Sequence, residues 1–229
     1  RNLNQSGLEN EHVYYVGNIL VDNIRYNRHR LLRPVWFDVL NLKEQNYLLF
    51  TMNRHAILTN KENLKQLMQT LVKESNGMPI VAPLHTYVAD AIKELNIQAD
   101  NLHILPPQSY LFFGYLMNKA KGIITDSGNV AEEATFLGIP CITLNTYAEH
   151  PETYSVGTNE LVGEDAAQLA SALEQPTFFT LAHRDIVIFI VFDRVAGENG
   201  IAVMPLGIES NGGDLLAGAA ELATRHGVG

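Results

Sequence analysis

The sequence predicts an α/β fold in which a parallel β-sheet carries helices on both faces. Between about residues 46 and 174, short runs of β-branched and apolar residues alternate with segments of helical periodicity. Repetition of this kind is typical of consecutive β-α-β units. The composition agrees, because 46% hydrophobic and 18% charged residues are the balance of a globular protein with a sizeable core.

The elements of this block follow one another in a regular order. A buried strand is predicted at residues 47–51, and apolar residues at helical spacing then continue to Asn76-Gly77, where that helix should end. Ser109 is expected to cap a later helix, and Gly138 to end another. The other predicted strands are 80–82, 102–105, 121–125 and 141–144, and the other predicted helices are 86–95, 109–120, a segment ending at 137, and 165–173.

The two ends of the chain differ from this block. A strand at 12–16 and a helix at 19–26 are predicted before it, followed by an arginine-rich stretch, 25–33, that we expect to be a solvated linker. After residue 175, two strands are predicted on either side of residues 197–200, and a Gly/Ala-rich helix follows. We therefore divide the chain into a domain at 1–174 and a divergent tail at 175–229 with a possible hairpin and helix.

Composition excludes several classes of function. A formal net charge of -9 supplies no basic field for a phosphate backbone, so we expect no nucleic-acid partner. The longest strongly apolar run, 186–192, is shorter than the roughly 20 residues that a membrane-spanning helix needs. Cys141 lies in an apolar run and is expected to be a small buried residue. No histidine pair has the spacing of metal ligands, so we predict no metal and no cofactor.

The loop at residues 125–130 contains the clearest candidate chemistry. It joins a predicted strand to a predicted helix, and such loops present unpaired backbone N–H groups to anions. Ser127 can donate its hydroxyl, and Gly128 allows close approach of a diphosphate. The ordinary alternative is that Asp126 or Ser127 only caps the helix. Similarly, Glu133 can accept hydrogen bonds from ribose hydroxyls or only complement the helix dipole.

A longer series of motifs is more specific than any of these parts. Its members stand in order between residues 16 and 163. They are Val16-Gly17-Asn18, Asn60-Lys61-Glu62-Asn63-Leu64, Pro83-Leu84-His85, Leu105-Pro106-Pro107 with Tyr110 and Phe113, Thr125-Asp126-Ser127-Gly128, Glu132-Glu133-Ala134, Leu137-Gly138-Ile139-Pro140, Pro151-Glu152, Gly157-Thr158 and Leu161-Val162-Gly163. Together they resemble the UDP-N-acetylglucosamine 2-epimerase family of the non-hydrolysing type over about residues 1–174.

The resemblance implies a Rossmann-like domain, equivalent to the second, nucleotide-binding domain of a two-domain GT-B-type fold. It implies that Ser127, Gly128 and Asn129 lie at the diphosphate and that Glu133 holds the ribose. The segment containing Pro107, Tyr110 and Phe113 would hold the uracil, and His150 would lie near the diphosphate. The aromatic residues of that segment can instead be the core face of a helix. Two catalytic positions are implied, Asn53 and His85.

This sequence departs from the family pattern at several positions. Asn53 stands where the family has a histidine, and an amide does not titrate near neutral pH. His55 can compensate only if the segment is extended, so that the two side chains share a face. His150 replaces an arginine and carries a weaker, pH-dependent charge. Ala56 lies in the same altered segment, Asn129 replaces a glycine, and Ala131 replaces a glutamine.

The implied function is interconversion of UDP-N-acetylglucosamine and UDP-N-acetylmannosamine, an isomerase reaction of polysaccharide biosynthesis, in the cytoplasm. The expected partners are UDP or a UDP-N-acetylhexosamine, and an amino-terminal domain in the same chain or a partner chain. A homodimer is also possible. We expect this half to be inactive by itself, because proton chemistry at the sugar needs groups on both of its faces. Two alternatives are a UDP-sugar-binding module without turnover and half of a GT-B glycosyltransferase.

Overall fold

A computed structural model describes residues 18–97, 99–147, 149–155 and 157–175, together with the backbone of two further short strands. Its main feature is a six-stranded sheet in which every neighbouring pair is parallel. The strands are β1 Leu48–Phe50, β2 Ile80–Pro83, β3 Leu102–Leu105, β4 Gly122–Thr125, β5 Cys141–Thr143 and β6 Asn159–Leu161. The helices are α1 Ile19–Asn27, α2 Trp36–Val39, α3 His55–Thr59, α4 Lys61–Glu74, α5 Thr86–Glu94, α6 Tyr110–Lys119, α7 Gly128–Leu137, α8 Glu152–Ser155 and α9 Ala166–Glu174.

The strand order is β3-β2-β1-β4-β5-β6. The chain first builds the sheet outward from β1 through β2 to β3, then returns to the other side of β1 with β4 and continues outward. β1 and β4 are therefore neighbours at the point where the direction reverses, with Leu49 paired to Ile123. In open sheets of this kind, ligands bind at the carboxyl ends of the strands beside that switch point.

Two hydrophobic clusters, one on each face of the sheet, form the core. Alternate residues of β1 belong to different clusters, Leu48 and Phe50 to one and Leu49 to the other, as the period of two along a strand requires. The first cluster also contains residues of α4, α5 and α9, and the second contains residues of α2, α6 and α7. The prediction of helices on both faces is confirmed.

Local signals explain where most helices begin and end. The Asn60 side chain accepts from the Asn63 N–H at the start of α4, and Asp165 accepts from Ala167 and Gln168 at the start of α9. Gly138, at φ 69°, ends α7 in the left-handed conformation, as predicted. The prediction for Ser109 is only half right, because this residue precedes α6 but its side chain makes no capping hydrogen bond.

The expectation of a solvated linker at residues 25–33 is wrong in its first part. Helix α1 continues to Asn27, and Ile24 and Asn27 are buried. The Arg25 guanidinium lies 5.5 Å from the centre of the Phe136 ring on α7. The charge of the segment suggested exposure, but long arginine side chains can pack their stems and planar heads on apolar and aromatic neighbours.

The sequence does not predict β6, because Asn159-Glu160-Leu161 lacks an apolar run. β6 is an edge strand that exists through its pairing with β5. In the tail, Val187–Phe189 pairs antiparallel with Ala202–Met204, which agrees with the predicted hairpin strands. The predicted strand at 12–16 and the Gly/Ala-rich helix lie outside the described residues, and the domain boundary at 174 stays a prediction. Every helix among the described residues is too short or too polar to span a lipid bilayer.

Candidate functional site

The loops that leave β1 and β4 are joined at the switch point by the carboxylate of Asp126. Its Oδ2 accepts from the backbone N–H of Asn53 at 2.7 Å and from that of Arg54 at 2.5 Å. At the ends of the same two strands, the hydroxyls of Thr51 and Thr125 share a hydrogen bond of 2.8 Å. The two loops are therefore held together by groups from the ends of adjacent strands, which fixes the edge of the sheet from which a ligand is approached.

The N-terminus of α7 starts directly from this junction. Ser127 occupies the capping position, and its hydroxyl accepts from the Val130 N–H at a long 3.5 Å. The capping role that the sequence left open is thus present, but in weak geometry. Gly128 is buried and Asn129 is exposed. The first N–H groups of a helix lack intrahelical partners and carry partial positive charge, so this end of α7 suits an anion.

A carboxylate of the chain itself lies at that place. A Cβ atom added to Gly128 would overlap Oε2 of Glu149 and lie 3.1 Å from its carboxyl carbon. Glu149 belongs to the segment that follows β5, and its side chain reaches across to the first residue of α7. The missing side chain of Gly128 is therefore what makes room for an anionic group there.

Glu133 and Tyr110 come together beside the same helix. The pKa of the Glu133 carboxyl is raised to about 7, because burial raises it strongly, a hydrogen bond with Tyr110 opposes part of the rise, and the charge of the neighbouring Glu132 adds to it. Burial, and then the charge of Glu133, raises the pKa of the Tyr110 hydroxyl. The ribose and uracil candidates of the sequence are thus neighbours in space.

The other two candidates from the uracil segment differ in their surroundings. Pro107 is exposed just after the carboxyl end of β3. Phe113 is partly buried and packs against the second hydrophobic cluster, which is the core role that the sequence left as an alternative. Their contact with a base stays a prediction.

Glu132 links His150 to the start of α1. Its Oε1 accepts from the Asn18 side-chain amide, and its Oε2 lies 3.6 Å from Nε2 of His150. The Glu132 side chain is 12% exposed and that of His150 is 32% exposed, so the contact is shielded but open to water on one side. A protonated His150 would pair with Glu132 here, which places its positive charge at the first turns of α7.

The two catalytic candidates meet through a tyrosine. The Tyr87 hydroxyl donates to Oδ1 of Asn53, and its ring stacks on His85 with centroids 5.8 Å apart and an interplanar angle of 10°. All three residues are exposed at the carboxyl edge of the sheet. Helix α3 begins at His55, and Arg54, which lies between Asn53 and His55, is extended. Compensation by His55 stays a prediction.

A cation also lies at this edge. The Arg54 guanidinium is 5.0 Å from the centre of the Tyr147 ring and donates to its hydroxyl at 3.0 Å. The Nη1 atom of the same guanidinium is 4.0 Å from the Glu164 carboxylate. Stacking and one weak ion pair hold the planar group in place while its charge stays at the sheet edge.

Several of these residues were not predicted as site residues, namely Arg54, Tyr87, Asp126, Tyr147 and Glu149. Each lies within two residues of a predicted site residue or in the segment after β5. The signal in the sequence that could have identified them is their position after the end of a strand. Their partners come from other loops, which sequence spacing does not reveal. Among the described residues, no group of three or more His, Cys, Asp or Glu side chains could hold a metal ion.

Comparison with known proteins gives one consistent result. The model of the family described as UDP-N-acetylglucosamine 2-epimerase matches residues 1–184. A UDP-N-acetylglucosamine 2-epimerase of Methanocaldococcus jannaschii is 34% identical over 185 residues, which cover 76% of this chain and 50% of that protein. The UDP-N-acetylglucosamine 2-epimerase of Salmonella typhimurium is 27% identical over 181 residues, which cover 75% of this chain and 48% of that protein. The chain spans about half the length of the curated relatives it matches.

Solved structures agree with the sequence relatives. The crystal structure of the Methanocaldococcus jannaschii enzyme in complex with UDP-GlcNAc and UDP has a TM-score of 0.68 and 28% identity, over 100% of this chain and 58% of that one. The structure of the Neisseria meningitidis enzyme bound to UDP-GlcNAc has a TM-score of 0.67 and 27% identity, over 79% of this chain and 52% of that one. These likenesses confirm the predicted fold class, a Rossmann-like sheet as in the second domain of a GT-B-type fold.

Proposed function

Because the chain belongs to the UDP-N-acetylglucosamine 2-epimerase family, we propose that it is the nucleotide-binding half of a protein that interconverts UDP-N-acetylglucosamine and UDP-N-acetylmannosamine. The observation that carries the proposal is the convergence of the Ser127-Gly128 turn and the Tyr110-Glu133 pair on the first two turns of α7. An anion and a polyhydroxylated sugar are the groups that such a pair of neighbours recognises. Ribose joined to a diphosphate supplies both.

In this proposal each part of UDP has its own partner. The diphosphate lies at the unpaired N–H groups of α7, over Gly128, where His150 adds positive charge when it is protonated. The ribose hydroxyls donate to the ionised carboxylate of Glu133, which can accept two hydrogen bonds at once. The uracil lies along the segment from Pro107 to Phe113. The related enzyme of Methanocaldococcus jannaschii has been crystallised with UDP-GlcNAc and UDP, and that of Neisseria meningitidis with UDP-GlcNAc.

The chemistry at the sugar uses the exposed edge that carries Asn53, Tyr87 and His85. Epimerisation at C2 removes a proton from one face and returns one to the other, so it needs acid and base groups on both sides of the ring. The His85 imidazole can give or accept a proton, whereas the Asn53 amide can only form hydrogen bonds. The remaining groups belong to the half of the family's protein that this chain does not match, which is supplied in the same chain or by a partner chain. A homodimer of the complete protein is part of the same proposal. The cytoplasmic location is an expectation of the same kind.

A binding module without turnover is the second candidate. It is favoured by the Asn53 amide, whose oxygen accepts from Tyr87 where the family has a titratable histidine. The complete protein, assayed for conversion of UDP-N-acetylglucosamine, separates the two candidates. Formation of UDP-N-acetylmannosamine supports the enzyme, and binding without product supports the module. A glycosidic product formed with an acceptor would instead indicate a glycosyltransferase.

UDP should stabilise this chain selectively. A ligand at one hundred times its dissociation constant raises the free energy of unfolding by about 2.7 kcal/mol, which is several degrees in Tm for a domain of this size. We expect this shift with UDP, a small one with uridine, which lacks the diphosphate, and none with an unrelated nucleotide, measured by thermal unfolding. A folded chain that millimolar UDP leaves unchanged would contradict the proposed site.

Glu133 should make stability depend on pH. Its pKa is raised from 4.5 to about 7, so ionisation opposes folding, and the free energy of unfolding should fall as pH rises from about 4.5 to 7 and then level off. We expect a fall of about 1–2 kcal/mol after allowance for solvent screening. Glu133→Gln should lack this fall. Urea unfolding of both proteins at pH 5 and pH 8 tests it, and equal pH dependence of the two would contradict it.

Ionisation of Glu133 should also make the affinity for UDP depend on pH. Ribose hydroxyls that donate to Glu133 favour its ionised form, so affinity should rise as pH increases through about 7 in the unaltered protein and less in Glu133→Gln. A terminal phosphate also titrates near pH 6, but it does so equally with both proteins and cancels in their comparison. Calorimetric titrations across this range give both curves.

A further inference from the structure

The segment after β5 delivers a carboxylate to the proposed diphosphate position. Glu149 is an exposed residue, but its side chain is packed along the backbone of Gly128. A Cβ atom on Gly128 would meet three atoms of this side chain: it would overlap Oε2, and lie 3.1 Å from Cδ and 3.2 Å from Cβ. The contact therefore involves the length of the Glu149 side chain and not only its tip.

The chemistry of this contact is that of an anion at a helix N-terminus. α7 has ten residues, so its first turn carries the partial positive charge of a full helix. A carboxylate at this place meets the same partial positive charge as a phosphate would, with one negative charge instead of two or more. Because Gly128 has no side chain, the space above it is the place where a diphosphate would come closest, and Glu149 fills that space.

We propose that Glu149 is an internal competitor of the diphosphate, an autoinhibitory side chain that holds the start of α7 until the nucleotide displaces it. This inference rests on the proposed function, since it assigns the regulation of the same site. Two anions cannot share the position, because they overlap and repel each other. Binding must therefore move the Glu149 carboxylate into solvent, which its exposed position allows. The competitor lowers the affinity for phosphate-bearing ligands and has no effect on the nucleoside.

The test compares Glu149→Gln and Glu149→Ala with the unaltered chain in calorimetric titrations with UDP, inorganic pyrophosphate and uridine. Glu174→Gln is the matched control, because it also removes one exposed negative charge, at the far end of α9. We expect both Glu149 variants to bind UDP and pyrophosphate about fivefold more tightly, equivalent to about 1 kcal/mol. Uridine affinity should not change, and Glu174→Gln should behave as the unaltered chain.

Each possible result of these titrations either supports or overturns the competitor role of Glu149. UDP bound by the unaltered chain with equal or weaker binding by both variants would overturn the competitor role and leave the proposed function standing. A gain that extends to uridine would also overturn it, because the effect would not concern the diphosphate. Binding by the variants alone would support it in its strongest form. If no protein binds UDP or pyrophosphate while all are folded by circular dichroism, both this inference and the proposed function fail.

Discussion

Gly128→Ala is expected to lower the affinity for UDP by more than about tenfold, at least about 1.4 kcal/mol, without loss of stability. The backbone at Gly128 is not in the left-handed region, so alanine can adopt its conformation. In the first turn of a helix that change lowers the entropy of the unfolded chain and stabilises by up to about 1 kcal/mol. The new methyl group requires the flexible end of the Glu149 side chain to move away, and its Cβ atom, 3.2 Å from the added methyl, to shift by a few tenths of an ångström. It nevertheless prevents a diphosphate from approaching the backbone closely.

The measurement combines calorimetric titration with UDP and urea unfolding. Gly114→Ala is a suitable control, because it is also a helical glycine whose new Cβ would meet only a flexible side-chain atom, Cδ2 of Leu31, at 2.8 Å. It should retain UDP affinity. A Gly128→Ala protein that binds UDP as tightly as the unaltered chain would show that the diphosphate does not lie over this residue, whatever its stability.

Asp126→Ala should lower the free energy of unfolding by about 2 kcal/mol and also weaken UDP binding. Two backbone N–H groups lose a charged acceptor, and hydrogen bonds to charged groups contribute about 1.5–3 kcal/mol. Water partly replaces the carboxylate because Asn53 is exposed, which keeps the expected loss near the lower limit. UDP affinity should fall because the loops after β1 and β4 lose the Asp126 contacts and are held together only by the Thr51–Thr125 hydrogen bond and the pairing of their strands.

Two variants sharpen this experiment. Asp126→Asn retains one acceptor oxygen without the charge and should lose less than the alanine variant. Asp90→Ala removes an exposed carboxylate of α5 that has only a 3.8 Å ion pair with Lys93, and should change stability by less than about 0.5 kcal/mol. If the two alanine variants unfold at the same urea concentration, the Asp126 bridge contributes nothing to stability.

The sequence was sufficient to predict the sheet and most of its helices because those signals are local. The apolar run around Leu49 and the periodic residues around Leu67 belong to single elements, and each needs only its own neighbours in sequence to be recognised. Edge strand β6 shows the limit, since its three residues become a strand only by pairing with β5.

The sequence by itself determined the fold class, the family resemblance and the turn at Ser127-Gly128, which depend on residue types in a fixed order. Only the tertiary structure decided which side chains meet at that turn. Asp126 reaches the loop after β1, Tyr87 joins Asn53 to His85, and Glu149 crosses to Gly128. These contacts join loops that are distant in sequence, and the strand order brings the loops together. The raised pKa of Glu133 has the same origin, since the burial that raises it exists only once the helices have packed.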